Sequence, residues 1–127
     1  MLSGLDHLVV TVTDMSRAVD FYSRVLGLDV RYRDAQRVDL MLGDTALRLH
    51  QTDTDIAPIS ATPTPGSLDL CLRCLLPLDE FKQHLDALGV DVELGPVARQ
   101  GANGPIESLY LRDPDGNLLE ICRPAAR

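Results

Sequence analysis

Val25-Leu26-Gly27-Leu28-Asp29-Val30 returns further along the chain as Ala87-Leu88-Gly89-Val90-Asp91-Val92, with Gly27 falling on Gly89 at an offset of 62 residues. Each copy reads as the end of a helix: apolar residues, a glycine that supplies the C-terminal stop, then residues that suit a strand. Such self-similarity within 127 residues marks an internal repeat. Carried back without a gap, the offset lays residues 7–12 on residues 69–74, so His7 falls on Asp69. Further along, residues 39–42 resemble residues 108–111. Ala46-Leu47-Arg48-Leu49-His50 resembles Leu118-Leu119-Glu120-Ile121-Cys122, so Arg48 falls on Glu120.

Each half reads strand, helix, then three strands. In the first half residues 5–13 are rich in β-branched side chains. Asp14 suits an N-cap, and Ala18, Phe21, Tyr22 and Val25 recur at helical spacing. Strands are expected at 29–33, 37–42 and 45–51, with Gly43-Asp44 as a tight turn. In the second half a strand over 68–76 precedes a helix capped by Asp79, whose apolar face is Leu78, Phe81, Leu85 and Leu88. Strands follow at 90–98, 105–111 and 117–123, the last two joined by the turn Asp113-Pro114-Asp115-Gly116. Residues 61–67, Ala-Thr-Pro-Thr-Pro-Gly-Ser, read as a semi-rigid connector. The fold class is therefore α+β: a single domain over 1–127 made of two βαβββ modules, about 1–60 and 68–127. Their curled mixed sheets are expected to surround a shared cavity, and apolar faces left over favour a homodimer.

Composition narrows the function. The formal charge is −7, with 12 Lys and Arg against 19 Asp and Glu. Without a basic run, no nucleic-acid surface is expected, because phosphate neutralisation needs clustered cations. No stretch approaches the length of a membrane span and the N-terminus lacks a leader pattern, so a cytoplasmic protein is expected. Three cysteines, at 71, 74 and 122, argue for reduced thiols rather than a disulfide framework. Cys71-Leu72-Arg73-Cys74 has the spacing of a redox or zinc motif, but on a strand its two thiols face opposite ways.

Several residues carry candidate chemistry. His7, Arg48, Asp69 and Glu120 occupy related places in the two halves. Glu120 sits between Leu119 and Ile121, where an unpaired carboxylate is costly; a divalent cation held by imidazole and carboxylate relieves that cost, and an exposed edge strand is the alternative. His50 shares a strand face with Arg48, about 6.6 Å away at strand spacing. Because Arg48 repels a cation, His50 is the better first-half ligand, with a strand-end hydrogen-bonded histidine as the alternative. Asp69 has three readings: a ligand, a base, or a partner of Arg48. The segment 95–105, rich in glycine, reads either as a surface loop or as a lid whose Arg99 meets an anionic substrate. Ser108 and Tyr110 alternate on the neighbouring strand and are expected to offer hydroxyls to the cavity, with core packing the competing reading for Tyr110.

Leu5-Asp6-His7-Leu8-Val9, Phe21-Tyr22-Ser23-Arg24-Val25-Leu26-Gly27 and Arg112-Asp113-Pro114-Asp115-Gly116-Asn117 through Glu120 together resemble the vicinal oxygen chelate superfamily, which includes glyoxalase I, extradiol dioxygenases, and fosfomycin- and bleomycin-resistance proteins. Residues 47–51, 64–71 and 95–99 resemble the branch of glyoxalase-domain-containing protein five and bacterial virulence-associated homologues. The resemblance implies metal ligands at the places of His7, Arg48, Asp69 and Glu120. His7 and Glu120 match; Arg48 stands where glyoxalase I has a carboxylate, and Asp69 replaces a histidine. The expectation is a metal-dependent lyase, isomerase or dioxygenase in which Mn, Fe, Ni or Zn binds His7, His50 and Glu120. Asp69 and Glu120 are then the catalytic carboxylates, and Arg48, Arg99, Ser108 and Tyr110 bind a small, anionic, oxygen-chelating substrate. A non-catalytic small-molecule binding or resistance protein on the same fold is the alternative.

Overall fold

The computed structural model describes residues 1–125. They form two compact units: Met1–Leu68 with Pro114–Gly116, and Asp69–Asp113 with the chain from Asn117.

In the first unit β1 (His7–Val12) leads into α1 (Met15–Asp20), which continues as a π-helical turn over Phe21–Val25. Then come β2 (Asp29–Tyr32), β3 (Arg37–Leu42) and β4 (Thr45–Gln51). Asp14 caps the helix as expected, its carboxylate accepting the Arg17 N–H at 3.1 Å. Gly27, at φ +71°, turns the chain out of it. The sheet order is β1-β4-β3-β2, with β1 parallel to β4 and the other pairs antiparallel. Alternation then sorts the side chains. Val10, Val12, Val38, Leu40, Leu47 and Leu49 are buried together with Ala18, Phe21, Tyr22 and Val25. The opposite face carries His7, Val9 and Thr11 of β1, Arg48 and His50 of β4, Arg37 and Asp39 of β3, and Arg31 of β2.

The second unit repeats the plan. It runs β5 (Asp69–Arg73), α2 (Leu78–Ala87), β6 (Leu94–Gly101), β7 (Gly104–Arg112) and β8 (Leu118–Pro124), in sheet order β5-β8-β7-β6, with β5 parallel to β8. Leu72, Leu109, Leu111, Leu119 and Ile121 form its buried face with Leu78, Phe81 and Leu85. The duplicated βαβββ plan and its mixed sheets are as the repeat predicts. The Arg48 and Glu120 equivalence is visible in the registers, Val9 opposite Arg48 and Cys71 opposite Glu120.

Four expectations need correction. Pro77, not Asp79, occupies the cap of α2, because Leu78 belongs to the buried face and draws the helix start forward; Asp79 lies in the first turn. The strand expected at 90–98 runs over Leu94–Gly101, so the segment 95–105 is no lid. It is a hairpin, held by β6–β7 pairing from Val97 opposite Ser108 to Gly101 opposite Gly104. Asp39 is matched by Tyr110 rather than Ser108, since Asp39 pairs with Arg48 and Tyr110 with Glu120. The irregular connection between β4 and β5 is longer than 61–67, spanning residues 52–68. Among the described residues, no helix is long and apolar enough to cross a membrane.

Candidate functional site

The polar face of the first sheet is organised by Asp39. This aspartate stands between Val38 and Leu40 on β3 and is 1% exposed. Arg48, opposite it on β4, donates from Nε to Oδ1 at 2.8 Å and from Nη2 to Oδ2 at 3.3 Å. Arg33, just beyond β2, donates from Nε to Oδ2 at 2.5 Å. The Arg48 hydrogen bond, joined by that of Arg33, outweighs burial and holds the Asp39 carboxyl below the usual carboxylate range. The chain of contacts goes on from Arg48 Nη1 to His7 Nε2, 3.1 Å, and from His7 Nδ1 to Asp6 Oδ1, 2.8 Å. An arginine only donates. His7 therefore accepts at Nε2 and donates from Nδ1, a tautomer set by its two neighbours.

This arrangement decides how the first unit suits a divalent cation. A ligating imidazole must offer its lone pair, and the Nε2 lone pair of His7 already receives the Arg48 N–H. A cation there would also stand beside a guanidinium that buried Asp39 holds in place. His50 does not complete a set with His7. Register places His7 opposite Ala46, four residues before His50, or about 13 Å along the strand, with Arg48 between them. Among the described residues, no group of three or more His, Cys, Asp or Glu is arranged to hold a metal ion. The donors of the first unit do not fit the ion that the resemblance implies.

Next to this ionic chain lies a cavity of about 510 Å³. Its walls are the end of β1 and β4, through Leu8, Val9, Thr11 and His50, and the irregular segment 51–63, through Thr52, Thr54, Ile56, Pro58 and Ile59 among others. Every lining residue belongs to the first unit. Burial, reinforced by Arg37 and Arg48, lowers the His50 pKa below the ordinary histidine value. Its imidazole is neutral at pH 7, and among the described residues its ring makes no hydrogen bond. The cavity thus offers an apolar body with hydroxyl groups and one neutral, unengaged imidazole.

The polar face of the second sheet carries Asp69, Cys71, Glu120, Cys122, Ser108, Tyr110 and Arg99 by register. Glu120 is on β8, an inner strand rather than the edge, and is half-buried. Its cost is met locally, because Ser108 donates to Oε2 at 2.6 Å. Arg99, on β6 rather than a lid, donates from Nε to the Tyr110 hydroxyl at 3.0 Å and from Nη1 to the Ala98 carbonyl. Asp69 is exposed and within electrostatic reach of Arg112. Burial, with Cys122 and Glu120 beside it, pushes the Cys71 thiol up to about 12. None of the three cysteines is in a disulfide.

The structure thus joins His7 to Arg48 in one unit and groups Glu120, Ser108, Tyr110 and Arg99 on one sheet face in the other. Sequence reasoning missed Asp39, Arg33 and the cavity wall at 52–63. Asp39 had a usable signal: a carboxylate flanked by Val38 and Leu40 is the pattern that marks Glu120.

A duplicated βαβββ fold with a polar sheet face defines a class of small-molecule and metal-site proteins. Residues 4–121 match the Glyoxalase/Bleomycin resistance protein/Dioxygenase superfamily, and the chain belongs to it. It is 40% identical over 121 residues to virulence protein STM3117 of Salmonella typhimurium (strain LT2), covering 95% of this chain and 84% of that one. The crystal structure of that protein superposes with a TM-score of 0.94, covering 98% and 99% of the two chains at 39% identity. Glyoxalase domain-containing protein RDO1 of Mycosarcoma maydis is 44% identical over 118 residues, which span 93% of this chain and 66% of RDO1. At 27% identity and a TM-score of 0.79, TnmS3, an antibiotic binding protein from Streptomyces sp. CB03234, matches over 98% of both chains.

Proposed function

We propose that this chain is a small-molecule binding protein of the superfamily, whose ligand lies in the first-unit cavity without a resident metal at His7. The observation that carries this reading is the pairing of an apolar, hydroxyl-rimmed cavity with the neutral, unengaged ring of His50. A ligand with an apolar body and a hydroxyl or carbonyl group matches it, since one His50 nitrogen accepts and the other donates. That TnmS3 is an antibiotic binding protein is consistent with this use of the fold.

Benzyl alcohol is the test probe. It should shift the methyl resonances of Val9, Thr11 and Ile56 in a saturable manner, and Thr11→Phe, which fills the cavity from β1, should abolish the effect. Unshifted methyls at saturating probe would overturn the cavity reading. The competing metalloenzyme reading predicts stoichiometric binding of Mn²⁺ or Zn²⁺ in calorimetry, lost when His7 and Glu120 are both replaced by Ala; that result would displace the metal-free reading. A second copy of the chain is the macromolecular partner that we infer, from exposed Leu75, Leu76 and Leu94. Light scattering should return twice the mass of one chain, and a monomer mass at micromolar concentration rejects it.

A further inference from the structure

We propose that Arg48 and Arg33, clamped by buried Asp39, form a carboxylate-binding site adjoining the cavity, so that the ligand has an apolar body and an anionic head. The inference rests on the cavity reading above and deepens it.

The argument begins with charge. Two guanidiniums face one carboxylate, leaving one excess positive charge at this point of an otherwise acidic chain, and Arg31 stands opposite Asp39 on the same face. The Asp6 carboxylate, hydrogen-bonded to neutral His7, lies within electrostatic reach of Arg48 and Arg33 and offsets part of this charge, while Asp34 is paired with Arg37; with Arg31 counted, three guanidiniums still face two carboxylates. Geometry comes next. Arg33 Nε and Arg48 Nη2 meet at the same oxygen, Asp39 Oδ2, at 2.5 and 3.3 Å, so these nitrogens are within 5.8 Å of each other. The single Nε proton of Arg33 is spent on Asp39, so the donors open to a second carboxylate are the Nη groups of Arg33 and the remaining Nη protons of Arg48, on guanidiniums that converge on one oxygen. Donors remain for it. Arg48 uses three of its five N–H groups, two on Asp39 and one on His7, and Arg33 uses one. Asp39 and His7 fix the Arg48 plane, so little side-chain freedom is lost on binding. Arg33 is half-exposed and leaves an approach from solvent.

The cavity lies within reach. His50 lines it, and Arg48 stands two residues before His50 on the same face of β4, about 6.6 Å away. A molecule about the size of benzoate spans that distance, its ring against Val9 and Thr11 and its carboxylate on the arginine pair. The same fixed guanidinium that takes the His7 lone pair and repels a cation would then attract the ligand's oxygens.

The test compares benzoate with benzyl alcohol, which share the ring and differ in the head, and uses acetate as a probe of the head alone. Arg33→Gln is the chosen variant, because Arg48 still satisfies Asp39 and the fold is kept. Benzoate should bind roughly tenfold more tightly than benzyl alcohol, as expected for a charge-assisted contact, and Arg33→Gln should erase most of that difference while leaving benzyl alcohol unaffected. Millimolar acetate should shift the Arg33 and Arg48 Nε resonances. Equal affinity for the two aromatic probes, or no response of either Nε to acetate, overturns the arginine site while the cavity reading stands. Binding of neither aromatic probe, with acetate still shifting both Nε signals, removes the cavity and leaves the arginine site. Selective broadening of the His7 ring resonances by Mn²⁺ in the unmodified protein overturns the role given to Arg48.

Discussion

The two sheets share one backbone plan and carry opposite chemistry at its centre. At matching registers stand Arg48 in the first and Glu120 in the second. Arg48 is balanced by a buried aspartate from the adjacent strand; Glu120 is balanced by the hydroxyl of Ser108. Duplication thus conserves strand order and the buried face, both set by apolar alternation, while the polar face is free to diverge once each charge finds a local partner. In the first unit that partner is itself charged and buried, and in the second it is neutral.

The difference predicts unequal costs of substitution. Asp39→Ala leaves two arginines facing an emptied, desolvated site and should destabilise the protein by about 3 kcal/mol, the range for breaking a buried ion pair on one side. Glu120→Gln keeps an acceptor for the Ser108 hydroxyl and should cost no more than about 1 kcal/mol. Urea unfolding of the two variants measures both. Equal costs would break the contrast drawn between a charge-locked and a hydrogen-bonded centre.

A smaller effect is expected from pH, with opposite signs in the two units. The folded-state pKa of His50 is depressed, so the unfolded chain binds the proton more tightly. Its contribution is present above the ordinary histidine value and is lost as pH falls below about 6.5. Asp39 adds a second acid-side loss below the ordinary carboxylate range, because its folded pKa is also depressed. Cys71 acts in reverse. Its thiol is raised from 9.0 to about 12, so the folded state holds the proton more tightly and stability is lost as pH rises past about 9. Hydrogen exchange followed by residue across pH should show β3 and β4 weakening in acid and β5 and β8 weakening in alkali. His50→Gln should remove the step near pH 6.5, and Cys71→Ala the alkaline one. Retention of either slope in its variant assigns that slope to another group.

These contrasts also show what was legible from residues alone. The helix stops at Gly27 and Gly89, the Asp14 cap and the strand alternation are local signals, so the repeat laid Arg48 on Glu120, an equivalence that the strand registers bear out. Strand β6 was legible only in part: a strand was expected at 90–98, but Gly95, Pro96 and Gly101 also read as loop residues, so its bounds, Leu94–Gly101, were misplaced. Those three residues are tolerated on an edge strand that takes its pairing from β7, with a register shift between Leu94 and Val97. Gly95 is needed there, since a Cβ would stand 2.5 Å from the Ser108 carbonyl oxygen. The wall that residues 52–63 add to the first-unit cavity was not legible, because the segment that follows β4 has no periodicity to read. His7 and Arg48 were singled out together with Asp69 and Glu120, but their direct contact depends on Asp39, whose role emerges only when β3 is paired with β4.

The smallest predicted effect concerns Arg99, which the sequence cast as an anion anchor beside Arg48. The two arginines differ in what holds them. Arg48 is mostly buried and fixed by charge, whereas Arg99 is exposed and lies 5.6 Å from the Tyr110 ring centroid, donating to that hydroxyl. A cation beside a half-buried ring and a hydrogen bond open to solvent contribute little. Arg99→Ala should therefore lower stability by no more than about 0.5 kcal/mol, and Arg99→Lys, which keeps the charge but not the planar guanidinium, should recover only part of it. Benzoate affinity should be unchanged in both variants, because the excess charge that attracts a carboxylate is built around Asp39. A tenfold loss of benzoate affinity in Arg99→Ala, with Arg33→Gln behaving as the unmodified protein, would move the anion site to the second sheet and reverse the comparison between the two halves.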